Sequence, residues 1–442
     1  MAVVGTIQGA SLMVAAESSF GSVLSTAARE LDTTTIAGLT AYPVRCLRAS
    51  WNSAAGALRQ MVFDQQEIAV RGGTPAPVVE SAFDSGLPVK SIKGELSIDV
   101  EMRGFGTATP ATTGLGLMLN SGLASAIRTP GVGQSATYVS VNTFTVAGGD
   151  IAEITAGDIL AVEQTDGTFR FCKVTLNNAG TITTLEAHGY SGAATFVTRS
   201  CHMWYPTLTG SAAGASLVLQ FAPRDAVFTY LAVGARLSGV SVKKQGAHSL
   251  VMTLKFMVPD GAYAAAAVVT VAAKMLPYGI AGTTSLRTLV APVLVTQDHQ
   301  STAVPASGTV SSLPVRDWSA DIAIALEPTP DQGTRSGLSG YSVTTSELAG
   351  SFTLNAPSSG VDFREQLRQS EARAVGFSAA GSNAAGNGMC VWVGSAQATE
   401  DPGIAFEDSR RSQTVSFRAG DYAGDTSGAA YANVPFILAF TC

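Results

Sequence analysis

The chain has 442 residues, of which only 14% are charged and 46 are glycine, and its formal net charge is −6. This length predicts two or three domains, and so little charge indicates that partners cover much of the surface, although a weakly charged monomeric β protein is the alternative. The acidic excess lies in residues 276–442, and no basic patch of the nucleic-acid-binding type occurs, which argues against a sequence-specific nucleic-acid binder.

The N-terminus and the cysteines bear on the compartment. The first arginine is Arg29, so the N-terminal segment lacks the basic region of a secretory signal peptide. The longest stretch of small apolar residues, 262–273, is too short to span a bilayer as a helix. The five cysteines are scattered and form no Cys-x-x-Cys pair, which favours reduced thiols and synthesis in a cytoplasm.

Strand patterns dominate the first 128 residues. Residues 18–32 predict a short amphipathic helix or an ordered arm, and the Gly-, Pro- and Ser-rich segment 71–88 predicts a long loop. Alternating or β-branched runs predict strands at 42–51, 59–70 and 91–100. Leu115 and Leu119 share one face of a short helix, which the neighbouring glycines weaken.

The pattern changes to short alternating strands between residues 129 and 205. Strands are predicted at 143–146, 158–162 and 169–174, and the sequence Asn177-Asn178-Ala179-Gly180 marks a turn before another strand. The second half of the chain has no room for such a segment. We therefore predict a small all-β insertion here.

The rest of the chain returns to longer strands. Residues 228–258 predict two alternating strands with a turn at Gln245-Gly246, and an Ala- and Gly-rich connector is expected at about 260–290. Further strands are predicted at 290–296, 313–327, 390–394, 413–418 and 435–441. Residues 360–375 predict the best helix in the chain, with Phe363 and Leu367 on one face.

A faint internal repeat links the two halves. The strand 91–99, anchored on Gly94, matches 347–355, anchored on Gly350, with apolar and polar residues in the same order. Upstream, Pro43-Val44-Arg45 matches Pro314-Val315-Arg316, and downstream each strand leads to one of the two predicted helices. Because repeated units are stabilised by packing against neighbours, a duplicated β unit predicts a building block of an assembly.

Motifs for chemistry are weak. Residues 131–136 fit the dinucleotide pattern GxGxxG/A but run into a strand-like segment, where pyrophosphate binding needs a helix N-terminus. Cys201-His202 lacks the further ligands of a zinc site, and Asp362 with Glu365 is interpreted as a solvated helix face beside two arginines. Arg410-Arg411 is interpreted as a strand-edge or interface pair. We therefore predict no catalytic, cofactor-binding or metal-binding residues.

Three loose motifs carry a family resemblance: the Gly94 strand with its helix, the Gly350 counterpart, and the segment 234–242. Together they resemble the major tail tube proteins of long-tailed bacteriophages with non-contractile, siphovirus-type tails, over residues 40–128, 206–258 and 290–442. The resemblance implies a mainly β protein with two tandem tail-tube domains, each a β-sandwich or barrel with a flanking α-helix. The first domain is expected at 1–128 and 206–275, the second at 276–442, and the insertion 129–205 on the tube exterior.

In that family six such domains close a ring, their sheets join into an inner β-barrel, and rings stack into a hollow tube. Fused two-domain members form trimeric, pseudo-hexameric rings. The resemblance thus implies a structural virion protein, assembled in the host cytoplasm, that is not an enzyme and uses no cofactor. Its implied partners are itself, the tape-measure protein and the tail-terminator or baseplate proteins, with genomic DNA passing through the lumen without specific binding and no membrane.

Two hypotheses follow for the tube. An acidic lumen would repel DNA phosphates and let the genome slide, whereas rings of lumen-facing lysines would contradict this idea. The predicted loops at 71–88 and 328–345 are candidates for contacts between rings.

Alternative functions remain open at this stage. An outer-membrane β-barrel suits the glycine content and alternating strands, but the chain lacks a signal peptide and ends in Phe440-Thr441-Cys442 without a terminal aromatic. A carbohydrate-binding or adhesin-like β protein would need a cluster of exposed aromatic residues, whereas aromatics make up 7% of the chain. A tail-terminator or baseplate ring protein would share the tail-tube fold.

Overall fold

The structure is a computed structural model of the chain. It describes residues 11–22, 39–44, 46–53, 94–102, 104–105, 108–129, 133–146, 154–165, 169–207, 214–222, 229–245, 250–264, 293–295, 311–313, 315–331, 338–354, 372–380, 388–402, 404–407, 410–420, 429, 431 and 433–442. The protein is mainly β, as the sequence predicts.

The first half of the chain contains a cluster of short strands between two groups of other elements. They begin with β1 (Ser11–Ala16), β2 (Ala41–Val44), β3 (Cys46–Ser53), β4 (Gly94–Glu101), the 3-10 turn Pro110–Thr112, helix α1 (Gly114–Asn120) and β5 (Ala124–Ala126). The shorter strands are β6 (Gln134–Ser140), β7 (Thr143–Val146), β8 (Ile159–Glu163), β9 (Phe169–Asn178), β10 (Thr181–Thr184) and β11 (Thr195–Tyr205). The half ends with β12 (Leu217–Ala222), β13 (Thr229–Gln245), β14 (Val251–Val258) and β15 (Asp260–Ala264).

The described elements of the second half are all strands. They are β16 (Val293–Val295), β17 (Ser311–Leu313), β18 (Val315–Pro330), β19 (Leu338–Leu354), β20 (Ala372–Ala380), β21 (Gly388–Ala398), β22 (Ile404–Glu407), β23 (Arg410–Ala419) and β24 (Phe436–Thr441). Strict alternation explains β14 in the first half and much of β18 in the second, since both strands bury every second side chain there.

Two antiparallel sheets form the first half. One contains β3, β4, β14 and the C-terminal part of β13, and the other contains β2, β1, β12, the N-terminal part of β13 and β15. Strand β13 passes from one sheet to the other at Gly234, whose φ of +69° favours glycine and whose added Cβ would lie 2.8 Å from Cγ of Pro259. The apolar residues between the sheets, including Leu12, Ile98 and Leu254, form a single buried core.

The same pairing scheme occurs in the second half. One sheet contains β18, β19, β23, β22 and the C-terminal end of β21, and the other contains β17, β16, β20, the rest of β21 and β24. Each of these strands occupies the place of one strand, or one part of β13, in the first half, in the same order along the chain. The two halves are joined because β13 pairs with β18 along Gly239–Gln245.

The residue register repeats as well. Trp51 of β3 lies opposite Leu96 of β4, and Trp318 of β18 lies opposite Phe352 of β19, which places Gly94 and Gly350 at equivalent positions. The valines of the two Pro-Val-Arg triplets lie at the same strand-to-strand step but are not equivalent. Val44 ends β2, whereas Val315 begins β18.

The segment predicted as a small β insertion forms a closed six-stranded antiparallel barrel. The pairing runs β6–β7–β10–β9–β8–β11 and returns from β11 to β6. Its own apolar core includes Phe144, Leu160 and Ile182. The predicted turn is confirmed, since Ala179 and Gly180 both have positive φ between β9 and β10.

The barrel is attached to the second half of the chain rather than only to the first. The C-terminal part of β11 leaves the barrel and pairs with both β5 and β24. Phe169 and Phe171 of the barrel share a buried core with Trp392 and Ile437. The indole N–H of Trp392 donates to Glu186 at 2.9 Å, so a buried carboxyl also bridges the two parts.

Helix α1 confirms the prediction made from Leu115 and Leu119. Thr113 caps it, because its hydroxyl oxygen accepts the backbone N–H of Gly116 at 3.1 Å. Gly116 is required by close contact, since a Cβ there would lie 2.2 Å from the Pro110 carbonyl oxygen. Leu119 and Met118 are fully buried in the core of the first half.

Three sequence predictions need correction. Residues 372–375, the end of the predicted helix 360–375, lie in strand β20, because this run pairs with β21 from Ala372 onward and with β16 at Val375. Residues 260–264, assigned to a connector, form strand β15, which pairs with β13. The predicted loop 328–345 is instead largely a hairpin arm, with β18 continuing to Pro330 and β19 starting at Leu338.

Other predictions lie outside the described residues. These are the strand 59–70, the loop 71–88, most of the segment 18–32, and the helix positions Phe363 and Leu367. Strand β1 has no counterpart among the predictions.

Candidate functional site

The most extensive feature of the described surface is one side of the large sheet. Strands β3, β4, β14, β13, β18, β19, β23 and β22 form one continuous antiparallel sheet, whose other side is the buried core. We call the solvent side the polar face. Its exposed or half-buried side chains include Glu95, Ser97, Asp99, Ser241, Lys243, Thr253, Lys255, Ser319, Asp321, Ala323, Glu347, Ala349, Ser351, Thr353, Thr414, Ser416 and Arg418.

Short hydroxyl side chains connect neighbouring strands across the polar face. Thr253 donates to Asp99 Oδ1 at 2.6 Å, the hydroxyls of Ser319 and Ser351 lie 3.2 Å apart, and those of Thr353 and Thr414 lie 3.0 Å apart. Such cross-strand pairs fix the register and keep the side chains close to the sheet. The face is therefore smooth and hydrophilic.

The charges on the polar face are mixed. Glu95, Asp321 and Glu347 are exposed, and so are Lys243, Lys255 and Arg418. Arg418 and Glu347 form an ion pair at 2.8 Å, in which both side chains are more than half exposed. The half-buried Asp99 adds one further carboxyl. These residues give the face a small acidic excess rather than a field of one sign.

The two ends of this sheet are alike. Among the described residues, no strand pairs with the second side of β22 or with the second side of residues 48–53 in β3. Seven successive antiparallel pairings separate these edges, so β3 and β22 run in opposite directions. A strand edge without a pairing partner is a template for another strand.

The internal junction shows what such edges can do. The C-terminal part of β13 holds in the first half the place that β22 and the C-terminal end of β21 hold in the second, and β18 holds the place of β3. Strands β13 and β18 pair over seven residue pairs. The equivalents of β22 and β3 therefore already pair with each other inside the chain.

No protein-family model and no curated protein sequence matches the chain. Within the described part, no helix is long and apolar enough to cross a membrane.

The residues that the sequence singled out for chemistry do not assemble into a site. Gln134 and the residues after it form strand β6, which pairs with β7 and β11, so no helix begins at the GxGxxG/A pattern. Asp362 and Glu365 lie outside the described residues. No group of three or more His, Cys, Asp or Glu side chains in the described ranges is placed to hold a metal ion.

Cys201 and His202 are core residues of β11. Burial lowers the pKa of His202 to about 4, and its Nδ1 accepts the backbone N–H of Arg128 at 3.2 Å. His202 is therefore neutral at neutral pH and packs edge-on against Phe105. All five cysteines are described and none forms a disulfide; burial raises the pKa of Cys172, Cys201 and Cys390, which keeps these thiols protonated.

Arg410 and Arg411, interpreted from the sequence as a strand-edge or interface pair, lie in the strand next to the edge strand β22. Both residues start β23, opposite Glu407 and Phe406 of the edge strand β22. Sequence reasoning missed β22 itself, because a four-residue strand shows too few alternations to be recognised.

Sequence reasoning also missed a buried carboxyl at the point where the two halves meet. Glu17 is 5% exposed, and burial raises its pKa to about 7 even though its Oε2 accepts the Gly21 N–H at 3.3 Å. The guanidinium of Arg236 lies nearby, 5.9 Å from the ring of Phe20, and Phe20 in turn packs edge-on against Tyr341 of the hairpin arm. No spacing rule connects positions 17, 236 and 341.

Proposed function

We propose that this chain is a structural virion protein, the major tail tube protein of a siphovirus-type bacteriophage. Copies of it polymerise into stacked rings that form the hollow tube through which DNA is delivered. Three chains supply six tandem units to one pseudo-hexameric ring. Its further partners are the tape-measure protein and the tail-terminator or baseplate proteins, and its location is the virion after assembly in the host cytoplasm.

One observation carries the proposal: the open edges of the sheet are the same two strand positions that already pair within the chain. The β13–β18 junction adds one four-stranded unit to the next with antiparallel order preserved. Repeating that step between chains, with β22 of one copy beside β3 of the next, gives both of these strand edges a pairing partner. A ring is the closed form of this repetition.

The two-sided character of the sheet supports a tube. A lumen needs a hydrophilic wall without pockets, and the polar face consists largely of Ser, Thr, Ala and charged side chains of both signs. Lys243 and Lys255 partly offset the carboxylates of the polar face. Such a wall would neither bind DNA phosphates tightly nor repel them strongly. We propose that DNA passes along this face without specific binding.

Electron microscopy of the purified protein over a concentration series tests the proposal. We expect rings or hollow tubes with three-fold or pseudo-six-fold symmetry, because edge pairing is a mass-action process. A protein that fractionates with membranes, or that binds glycans as a dispersed monomer at every concentration, would contradict it.

A pair of edge variants links assembly to β22. Backbone N–H groups alternate in direction along a strand, so one of Ala405→Pro and Phe406→Pro removes a donor from the open side only. We expect that variant to stay folded by circular dichroism and to form no rings. The other variant, which loses a bond to β23, is the matched control for local disruption.

A further inference from the structure

The two halves of the chain share the same residue register in their strand pairings. This register specifies which residues of two copies would face each other when their sheet edges pair. The inference rests on the proposed function and adds the exact partner surface, namely residues 52–53 of one copy and 406–407 of the next.

The equivalence follows from the pairings on each side of β4 and β19. Gly94 lies opposite Ser53 and Val258, and Gly350 lies opposite Ala320 and Phe417. Ser53 and Asn52 of β3 therefore correspond to Ala320 and Ser319 of β18.

The same reasoning applied to the other end of the sheet aligns β22 with β13. Leu254 of β14 lies opposite Val240, and its equivalent, Gln413 of β23, lies opposite Ile404. Continuing along the strands, Phe406 corresponds to Val242 and Glu407 corresponds to Lys243.

Inside the chain, Val242 lies opposite Ala320 and Lys243 lies opposite Ser319. We propose that two copies of this chain join with Phe406 of one opposite Ser53 of the next, and with Glu407 opposite Asn52. The β22–β3 junction between two copies thus has the same register as the β13–β18 junction inside each copy. Every junction between neighbouring units of the ring is then quasi-equivalent.

Cysteine cross-linking in the assembled protein tests this register. Residues directly opposite in an antiparallel pair have Cα atoms about 4.5–5.5 Å apart, which is within reach of a disulfide. We expect Asn52→Cys/Glu407→Cys to form, under mild oxidation, covalent multiples of the 45.2 kDa chain that disappear on reduction. Mixing the two single variants should give covalent dimers only, because each chain then carries one member of the pair.

Two further double variants control the result. Ser53→Cys/Phe406→Cys is a second in-register pair, which keeps the test valid if the first pair impairs assembly. Ser50→Cys/Ala405→Cys lies in the same two strands but about four residues out of register, roughly 13 Å apart, and should not cross-link.

The outcomes separate this inference from the proposed function. Rings that cross-link only through the out-of-register pair, or through no pair, would overturn the register while leaving the tube intact. A cross-link confined to single chains would overturn pairing between copies. Absence of any ring in the unmodified protein would reject the proposed function and the register with it.

Discussion

Gly350 and Gly340 lie in the same strand but differ in what an added methyl group would meet. A Cβ at Gly350 would lie 2.4 Å from the Ser319 carbonyl oxygen and 2.6 Å from Cζ of Phe417, whereas a Cβ at Gly340 would meet nothing within 4 Å. The ring of Phe417 thus covers Gly350 from the neighbouring strand.

We expect Gly350→Ala to lower the free energy of unfolding by about 1–3 kcal/mol, because backbone and ring must both move. Gly340→Ala is the matched control and should change it by less than about 0.5 kcal/mol. Urea titration of the wild type and both variants checks this. Equal effects of the two substitutions would mean that the close packing at Gly350 is unimportant.

The buried carboxyl of Glu17 predicts a pH-dependent stability. Its pKa is about 7 in the folded protein against an ordinary value of 4.5, so the folded state binds its proton more tightly than the unfolded state does. The stabilising contribution of the protonated carboxyl is therefore complete below about pH 4.5 and is lost as the pH rises through 7.

Comparison with Glu17→Gln isolates this contribution. The free energy of unfolding of the wild type, taken relative to the variant, should fall by about 2–3 kcal/mol between pH 5 and pH 8. Urea titrations of both proteins at the two pH values measure the difference. Parallel pH profiles of the two proteins would exclude Glu17 as the titrating group.

At the scale of elements, the sequence predicts the strands and turns that short-range residue patterns determine. Alternation predicts β14 and β18, and the turn at Asn177–Gly180 is confirmed because Asn177 Oδ1 accepts the Gly180 N–H at 3.2 Å and Gly180 has positive φ. Helix 360–375 failed at its C-terminal end, where residues 372–375 obtain their hydrogen bonds from two neighbouring strands. A helical period cannot reveal such long-range partners.

The candidate surface was less predictable than the elements that form it. The Gly94 and Gly350 match indicated a repeat, yet the β13–β18 pairing joins residues about eighty positions apart and leaves no local pattern. The acidic-lumen hypothesis was drawn from total charge, whereas strand alternation places Lys243 and Lys255 on the polar face beside the carboxyls. The distribution over the two sides of a sheet depends on register, which composition does not encode.

At the scale of the whole molecule, the two halves are bound by more than the covalent connection between β15 and β16. The β13–β18 junction continues one sheet through both halves, and β11 adds a second connection by pairing with β24. The barrel also shares a buried core with β21 and β24. A cut in the chain between the halves leaves these strand pairings and the shared core intact. They would be lost only if the two halves then separated.

We therefore expect the halves to stay together after the chain is cut. A protease site inserted between residues 264 and 293 should, once cleaved, give two fragments that co-elute in size-exclusion chromatography, because the sheet junction and the shared apolar core remain intact. The fragments should separate in denaturing urea, and the uncut insertion variant serves as the control. Separate elution in native buffer would show that the junction is weak, and the same strand pairing could then not hold neighbouring copies in a ring.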